Sequence, residues 1–437
     1  MTDTICAIAT PPGQGGVGIV RVSGPAVPAI AEALIGRCPA PRAAARAEVR
    51  DGAGEVIDDG LALYFRAPAS FTGEHVLELQ LHGSPVVLER VVAACVALGA
   101  RRAGPGEFSQ RAFLNDKLDL VQAEAVADLI AATSERSARA ARRSLEGRFS
   151  EQVGALAERI TRVRVHVEAA LDFPDEDIDF LADGEVAAAV DSCIDATRSL
   201  LDAARAGQVL NDGLRIAIIG RPNAGKSSLF NALVKRDAAI VTDIPGTTRD
   251  VVRETVHLAG IPAVLADTAG LRDTEDPVER EGVRRAEAEL AEADVVLWVR
   301  DATDERPEAR PPTDRPLIEI RNKIDAVGET PARDGHRVRL SAVTGSGLDE
   351  LDAALAETLG LQGAAEAVTS ARARHVECID RARVHLETGR DELAATRSGE
   401  LLAEELRDAA EALGEITGTL HSDELLGRIF SSFCIGK

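Results

Sequence analysis

The stretch Gly220-Arg221-Pro222-Asn223-Ala224-Gly225-Lys226-Ser227 constrains this chain more than any other. Glycines in a tight turn let successive backbone N–H groups converge on phosphate oxygens. Lys226 brings a cation to the outer phosphates, and the Ser227 hydroxyl is of the kind that ligates Mg²⁺. Such a loop demands a strand before it and a helix after it. Leu214 to Ile219 is an apolar run ending at Gly220, and Ser228-Leu229-Phe230-Asn231-Ala232-Leu233 reads as the helix whose N-terminus meets the anion. The stretch predicts a P-loop at the heart of an α/β nucleotide-binding domain.

Downstream of the loop, the motifs come in the order that a triphosphate hydrolase needs. Thr242-Asp243-Ile244-Pro245-Gly246-Thr247-Thr248-Arg249-Asp250 has the composition of a switch loop, with Thr248 placed to bind Mg²⁺ while a γ-phosphate is present. Asp267-Thr268-Ala269-Gly270 succeeds the strand-like run Ala263 to Ala266: Asp267 is expected to hold the metal through water, and Gly270 to offer its N–H to the γ-phosphate. Val295 to Val299 reads as a buried strand, and Leu317 to Ile320 as another that leads into Asn322-Lys323-Ile324-Asp325. The Asp325 carboxylate can accept from both the ring N–H and the exocyclic amine of guanine, which adenine does not present there. Ser341-Ala342-Val343 fits the loop that contacts the guanine carbonyl. GTP is the expected ligand.

The catalytic part departs from the best-known pattern, because Leu271 stands where Ras-like enzymes carry a glutamine that orients water. Asp273, Glu275, Asp276 and Glu279 lie just beyond it, and spacing does not choose among them. Positive charge for the transition state can come from Arg249, Arg253, a partner's arginine or a bound cation. The Asn223 amide oxygen, beside the phosphates and facing a loop with several free carbonyls, suits K⁺ in place of an arginine finger.

A chain of 437 residues is long enough for two or three domains. Its formal net charge of -22 opposes a surface that binds nucleic acid nonspecifically, since that affinity comes from clustered Lys and Arg. Arg136, Arg139, Arg142 and Arg143, and the group Arg372, Arg374 and His375, are read as solvated helix faces. Cys6, Cys38, Cys95, Cys193, Cys378 and Cys434 are scattered without a C-x-x-C, so neither a disulfide framework nor a zinc site is expected. No apolar run reaches the length of a membrane span, and the N-terminus lacks a basic segment followed by an apolar one; a cytoplasmic location is expected.

Near the N-terminus, Gly13, Gly15 and Gly18 spell G-x-G-x-x-G, but Ile19-Val20-Arg21-Val22 comes next as a β-branched strand. A dinucleotide fingerprint must open a helix, so that reading is rejected. His75 to Leu81 alternates, with Leu77, Leu79 and Leu81 on one face and Glu78 on the other, and Val86 to Leu98 reads as a helix ending at Gly99. Strands with one or two helices make a compact α+β unit up to about Phe113. From Leu118 the period becomes helical through to about Arg205, broken once at Pro174 and Asp175-Glu176-Asp177. Helical texture returns with Leu402, Leu406, Ala409, Leu413 and Ile416 on one face, and Ser422-Asp423-Glu424 starts a last helix. The economical architecture is multidomain: an α+β N-terminal domain at 1–117, an all-α domain at 118–211 and 361–437, and a Ras-like α/β domain inserted at 212–360.

With these residues assembled, the chain resembles the MnmE or TrmE family of tRNA modification GTPases from end to end. The resemblance is carried by Asp3-Thr4-Ile5-Cys6-Ala7 with its glycine loop, Gly106-Glu107-Phe108, Arg111-Ala112-Phe113-Leu114-Asn115-Asp116-Lys117, Leu171-Asp172-Phe173-Pro174, the GTPase motifs, and Phe433-Cys434-Ile435-Gly436-Lys437. It implies an N-terminal tetrahydrofolate-binding domain that mediates a homodimer, and a complex with an FAD-containing partner called MnmG or GidA. That complex adds an aminomethyl or carboxymethylaminomethyl group to C5 of the wobble uridine of certain tRNAs, with a one-carbon unit from a reduced folate such as 5-formyl- or 5,10-methylene-tetrahydrofolate. Carried over by position, Arg21, Glu78, Lys117 and Lys437 contact the folate, Asn223, Thr242, Ile244 and Thr247 surround K⁺, Ser227 and Thr248 bind Mg²⁺, and Glu279 assists water attack. For Cys434 a covalent or redox role and a structural thiol both stand open. The alternative is a stand-alone regulatory GTPase, as in ribosome assembly; it predicts an attached RNA-binding module and no folate motifs.

Overall fold

The computed structural model describes residues 3–172, 184–238, 253–267, 290, 292–304, 306–307, 309–359 and 368–436; the side chains of 237–238, 253–255 and 266–267 are outside that description. The chain divides into two compact units, one of Met1–Ala127, Ser150–Glu158 and Ala410–Lys437, the other of Asp128–Phe149 and Arg159–Ala409.

The first unit is built on strands β1 (Ile5–Ile8), β2 (Gly15–Ser23), β3 (Ala45–Arg50), β4 (Val56–Phe65), β5 (Val76–Gly83) and β6 (Arg101–Arg102), arranged as a six-stranded sheet in the order β3-β4-β5-β2-β1-β6. β2 carries the β-branched run Ile19 to Val22 as expected but already begins at Gly15, inside the expected glycine loop, and it pairs antiparallel with β5 so that Arg21 stands opposite Glu78. Leu77 and Leu79 are fully buried and Leu81 nearly so, while Glu78 faces the other side. Helix α1 (Val27–Ile35) and helix α2 (Pro85–Ala97) cover the leucine face, and Gly99 past the end of α2 takes φ 98°. A third helix, α3 (Glu107–Leu114), exceeds the one or two expected. Its sequence shows no apolar stripe, because Glu107 and Arg111 are among its buried residues and neutralise each other there. The last helix, Asp423–Ser431, is capped by Ser422, whose side chain accepts from the Leu425 N–H, and Leu426, Ile429, Phe430 and Phe433 meet Phe113, Leu120 and Ala123.

The second unit holds a seven-stranded sheet in the order β12-β13-β11-β10-β7-β9-β8. Its strands are β7 (Leu214–Ile219), β8 (Arg253–Leu258), β9 (Ile261–Asp267), β10 (Val295–Asp301), β11 (Leu317–Asn322), β12 (Ala332–Asp334) and β13 (Arg337–Arg339). All pairings are parallel except β8 with β9 and β12 with β13, as a doubly wound sheet with extra edge hairpins requires. Ile216, Ile218, Leu265, Leu297 and Ile320 form its apolar centre, with Leu229 and Leu233 of helix α8 (Lys226–Ala238) packed on them.

The helical texture breaks more often than the one interruption expected at Pro174, a position outside the described residues. Helix α4 (Leu120–Ala131) stops before Ser134, which caps α5 (Glu135–Leu145) by accepting from Ser137 N–H at 3.1 Å; Gly147, at φ 88°, then separates α5 from α6 (Arg148–Asp172). Helix α7 (Glu185–Asp212) runs past Arg205 to Gly213, and the helix Ala373–Thr396 lies along it. Neither arginine group is simply a solvated helix face. Arg139 and Arg142 are solvated and paired with Glu135 and Glu146, but Arg143 donates to the Val368 carbonyl and Arg372 pairs with the buried Asp128. His375 is buried against Phe149.

Candidate functional site

The P-loop leaves the C-terminal end of β7, between β9 and β10, and the chain enters α8 at Lys226. Two glycines let it pass. At Gly220 (φ 150°) a Cβ would lie 2.1 Å from the Val299 carbonyl oxygen, and at Gly225 (φ 95°) it would lie 2.1 Å from Asn322 Nδ2. Asn223 takes φ 65°, a left-handed conformation that asparagine tolerates better than most residues. Lys226 Nζ donates to the carbonyls of Gly220 at 2.8 Å and Arg221 at 3.0 Å, which draws the ammonium over the loop's own turn.

Asn322 and Lys323 bind this loop to the base-reading segments. Asn322, nearly fully buried, donates from Nδ2 to the Ala224 carbonyl at 2.9 Å and accepts the Ala342 N–H on Oδ1 at 3.0 Å. Lys323 Nζ donates to the Asn223 carbonyl and to Asp301 Oδ2, both at 2.6 Å. Burial works against ionising Asp301, but hydrogen bonds from Lys323 and Thr303 outweigh it and hold the carboxyl below its ordinary range. Asp325 is exposed in the first turn of the short helix Ile324–Val327, Ser341 is buried and accepts on its hydroxyl from the Thr344 N–H, and Val343 is exposed. The P-loop, the Asn-Lys-Ile-Asp motif and the 341–343 loop are therefore one hydrogen-bonded body. Asp301 was not singled out from sequence; its signal is an acidic residue ending an apolar strand.

Ser227 and Ser228 are exposed at the start of α8. Asn223 opens on a polar cleft of about 240 Å³ that Arg221, Arg300, Asp301, Asp304 and Arg306 also line. Asp267 ends β9, where the sequence placed it. Thr242, Asp243, Ile244, Pro245, Gly246, Thr247, Thr248, Thr268, Ala269, Gly270, Glu279 and Lys437 lie outside the described residues.

In the first unit, Arg21 and Glu78 form an ion pair at 2.8 Å, the guanidinium lies 5.7 Å from the ring centres of Phe71 and Phe108, and Nη1 donates to the Gly436 carbonyl at 3.4 Å. The C-terminal segment reaches this place through an antiparallel bridge between Ile435 and Pro105, and a Cβ on Gly436 would fall 2.3 Å from the Ile8 carbonyl oxygen. Cys434 is exposed and its carbonyl accepts the Gly106 N–H at 3.3 Å. Lys117 is exposed beside Gly73, two residues from Phe71.

One cluster carries no signal in periodicity. Arg111 is fully buried, and its guanidinium donates to the Asp3 carboxylate at 2.9 Å, to Glu74 at 3.1 Å and to Glu107 at 3.1 Å. Glu107 also accepts from Arg101 at 2.8 Å. Burial opposes ionisation of Glu107, but Arg101, the Gly104 N–H and Arg111 together keep its carboxyl below the usual range, and Asp3 is held low against burial by Arg101 and Arg111. Among the described residues no group of His, Cys, Asp and Glu side chains has the arrangement of a metal site.

The family model described as GTP-binding protein TrmE N-terminus matches residues 4–117, and that described as MnmE helical domain matches residues 120–434. A tRNA modification GTPase MnmE from Chromohalobacter salexigens is 54% identical over 449 residues, covering 100% of this chain and 98% of that protein. Its counterpart from Pseudomonas paraeruginosa is 55% identical over 453 residues, covering 100% and 99%. Among solved structures, a variant of Aquifex aeolicus Era bound to GDP and AlF4⁻ is 26% identical, covers 39% of this chain and 65% of that one, and has a TM-score of 0.26. The G domain of FeoB from Methanococcus jannaschii is 23% identical, covers 34% and 98%, and has a TM-score of 0.25.

Proposed function

The chain belongs to the MnmE family of tRNA modification GTPases, and from that premise we propose that it is the GTP-hydrolysing component of a complex modifying C5 of the wobble uridine. The added group is aminomethyl or carboxymethylaminomethyl, and its one-carbon unit comes from a reduced folate. The observation that carries the nucleotide half of the reading is the clamp of Asn322 and Lys323 on the P-loop. A base-reading carboxylate, Asp325, stands on the same motif, so recognition of guanine and grip on the phosphates are mechanically joined.

In this reading the backbone N–H groups from Asn223 to Ser228 cradle the phosphates, and Lys226 turns its ammonium to the outer ones. The narrow passages at Gly220 and Gly225 suit such a cradle, since each leaves the peptide groups bare. Ser227 would hold Mg²⁺ together with Thr248, and Asp267 through water. The Asn223 amide, exposed on its left-handed turn, suits K⁺, with Thr242, Ile244 and Thr247 completing the donor set. When bound, these cations neutralise charge developing on the transferred phosphoryl group. Thr242 to Thr248 and Asp267 to Gly270 are assigned to the γ-phosphate, Asn322 to Asp325 with Ser341, Ala342 and Val343 to the base, and Glu279 to orienting water.

Arg21 and Glu78, with Lys117 and Lys437, form the proposed folate site, and the solvent-accessible Cys434 is assigned to the catalytic set. The proposed layout is a folate-binding and dimer-forming domain at 1–117, a helical domain at 118–211 and 361–437, and the G domain at 212–360. The partner is the FAD-containing MnmG or GidA subunit, the substrate is tRNA, and the setting is the cytoplasm. Mass analysis of wobble uridines in a strain lacking this chain tests the reading. Modification should vanish and return with the wild-type chain but not with Lys226→Ala; full modification in the deletion strain would overturn it.

A further inference from the structure

We propose that Phe71 is a positioning residue for Arg21, and that the buried charge network centred on Arg111 exists to hold Phe71 against it. The inference rests on the reading of Arg21 as a folate contact.

Arg21 leaves β2 opposite Glu78, and its Nε and Nη2 both converge on the one oxygen Glu78 Oε1, at 2.9 and 2.8 Å. One carboxylate oxygen, with a long 3.4 Å contact from Nη1 to the Gly436 carbonyl, holds the guanidinium plane less firmly than a two-oxygen fork would, whereas oriented recognition of a carboxylate or carbonyl needs a fixed fork. Two aromatic rings add to that restraint. Phe108 is fully buried on α3 and cannot yield. Phe71 is only partly buried, in the loop between β4 and β5; its ring packs on Ile5, Ala7, Ala103 and Phe108, and its backbone depends on what holds that loop.

The loop is held by polar contacts. Thr72 is fully buried, with Oγ1 2.7 Å from Ser23 Oγ, and its carbonyl accepts from Asn115 Nδ2 at 2.7 Å. Glu74 accepts from Ser23 Oγ at 2.8 Å and from Arg111 Nη1 at 3.1 Å. Arg111 is in turn pinned by Asp3 and Glu107. Ser23 is two residues from Arg21 on the same strand, so the network ties the strand that bears Arg21 to the loop that bears Phe71. Burying a guanidinium is costly, and here Nη1 and Nη2 are met while the buried Nε has no partner among the described residues; an apolar filler would pack the space as well, but a charged anchor adds direction, which packing alone does not. Arg21 is thereby presented to a folate oxygen with its plane set by Phe71, Phe108, Glu78 and the Gly436 carbonyl.

Titration calorimetry of 5-formyltetrahydrofolate into the full chain tests this with Phe71→Leu, Phe71→Tyr and Arg21→Ala. Leucine keeps an apolar side chain but removes the ring quadrupole, and should weaken binding about five- to tenfold; tyrosine restores the ring and should bind within about twofold of the wild type. GTP hydrolysis should be unchanged by both Phe71 variants. Wild-type affinity in Phe71→Leu, or equal weakening in Leu and Tyr, overturns the positioning role while the folate site stands, provided Arg21→Ala loses binding. Absence of binding by the wild-type chain, or full binding by Arg21→Ala, overturns the folate reading and this inference with it.

Discussion

Gly225 and Asp325 show how much single positions decide in the nucleotide domain. A methyl group at Gly225 would press on Asn322 Nδ2, the atom that holds the Ala224 carbonyl, and would also force an L-residue to φ 95°. Gly225→Ala should therefore reduce affinity for a fluorescent GTP analogue by more than tenfold, measured by equilibrium titration, because the clamp and the cradle fail together. Asp325→Asn keeps the size and exchanges one acceptor for a donor. Guanine should lose roughly 10- to 100-fold in affinity, as charged hydrogen bonds of about 1.5–3 kcal/mol predict. Xanthine, with an oxygen in place of the amine, should gain; competition between the two triphosphates reads the exchange directly. Arg111 is the counterpart in the first unit. Arg111→Met would leave Asp3, Glu74 and Glu107 facing one another, and by the usual cost of orphaning a buried charge should destabilise the unit by about 3–5 kcal/mol, seen as a lower denaturation midpoint.

At the scale of elements, the readable ones bury a regular face. Leu402, Leu406, Ala409, Leu413 and Ile416 recur at helical spacing and all are buried, and Leu77, Leu79 and Leu81 alternate as a strand with one face in the core. Helix α3 hides because its inward face is charged and paired rather than apolar. The extra breaks at Ser134 and Gly147 hide for another reason: both depend on local caps whose signal is weaker than the apolar period running through them. The last helix has the stronger signal, Ser422 followed by Asp423 and Glu424, and the cap forms as written. Ser422→Ala should cost about 1 kcal/mol and Ser422→Gly only a few tenths. Hydrogen exchange within 423–431 would resolve that difference locally, where a global melt of a multidomain chain would blur it.

For the whole molecule, the balance of charge matters less than where the carboxylates lie. Against a net charge of -22, Asp3 and Glu107 are held ionised by Arg101 and Arg111, and Asp301 by Lys323. Their folded-state values lie below the unfolded ones. The stability they contribute is therefore present above the unfolded carboxylate range of about pH 4 and is lost as pH falls through the lower folded values. Denaturant midpoints measured from pH 7 downward should stay level to about pH 4.5 and then fall, and Glu107→Gln should flatten the part of that fall belonging to the first unit. No helix among the described residues is long and apolar enough to cross a membrane.

The order of the GTPase motifs, the strands and helices around them, and the resemblance at both ends of the chain were determined by sequence alone. Each depends on residues close together in the chain, where spacing and side-chain chemistry suffice. Tertiary structure decided that Asn322 and Lys323 reach back about a hundred positions to clamp the P-loop, that Gly436 lies at Arg21, and that Arg111 is an anchor rather than a surface charge. A charged residue carries no mark of its burial. Only the fold reveals which distant carboxylates arrive to make that burial possible.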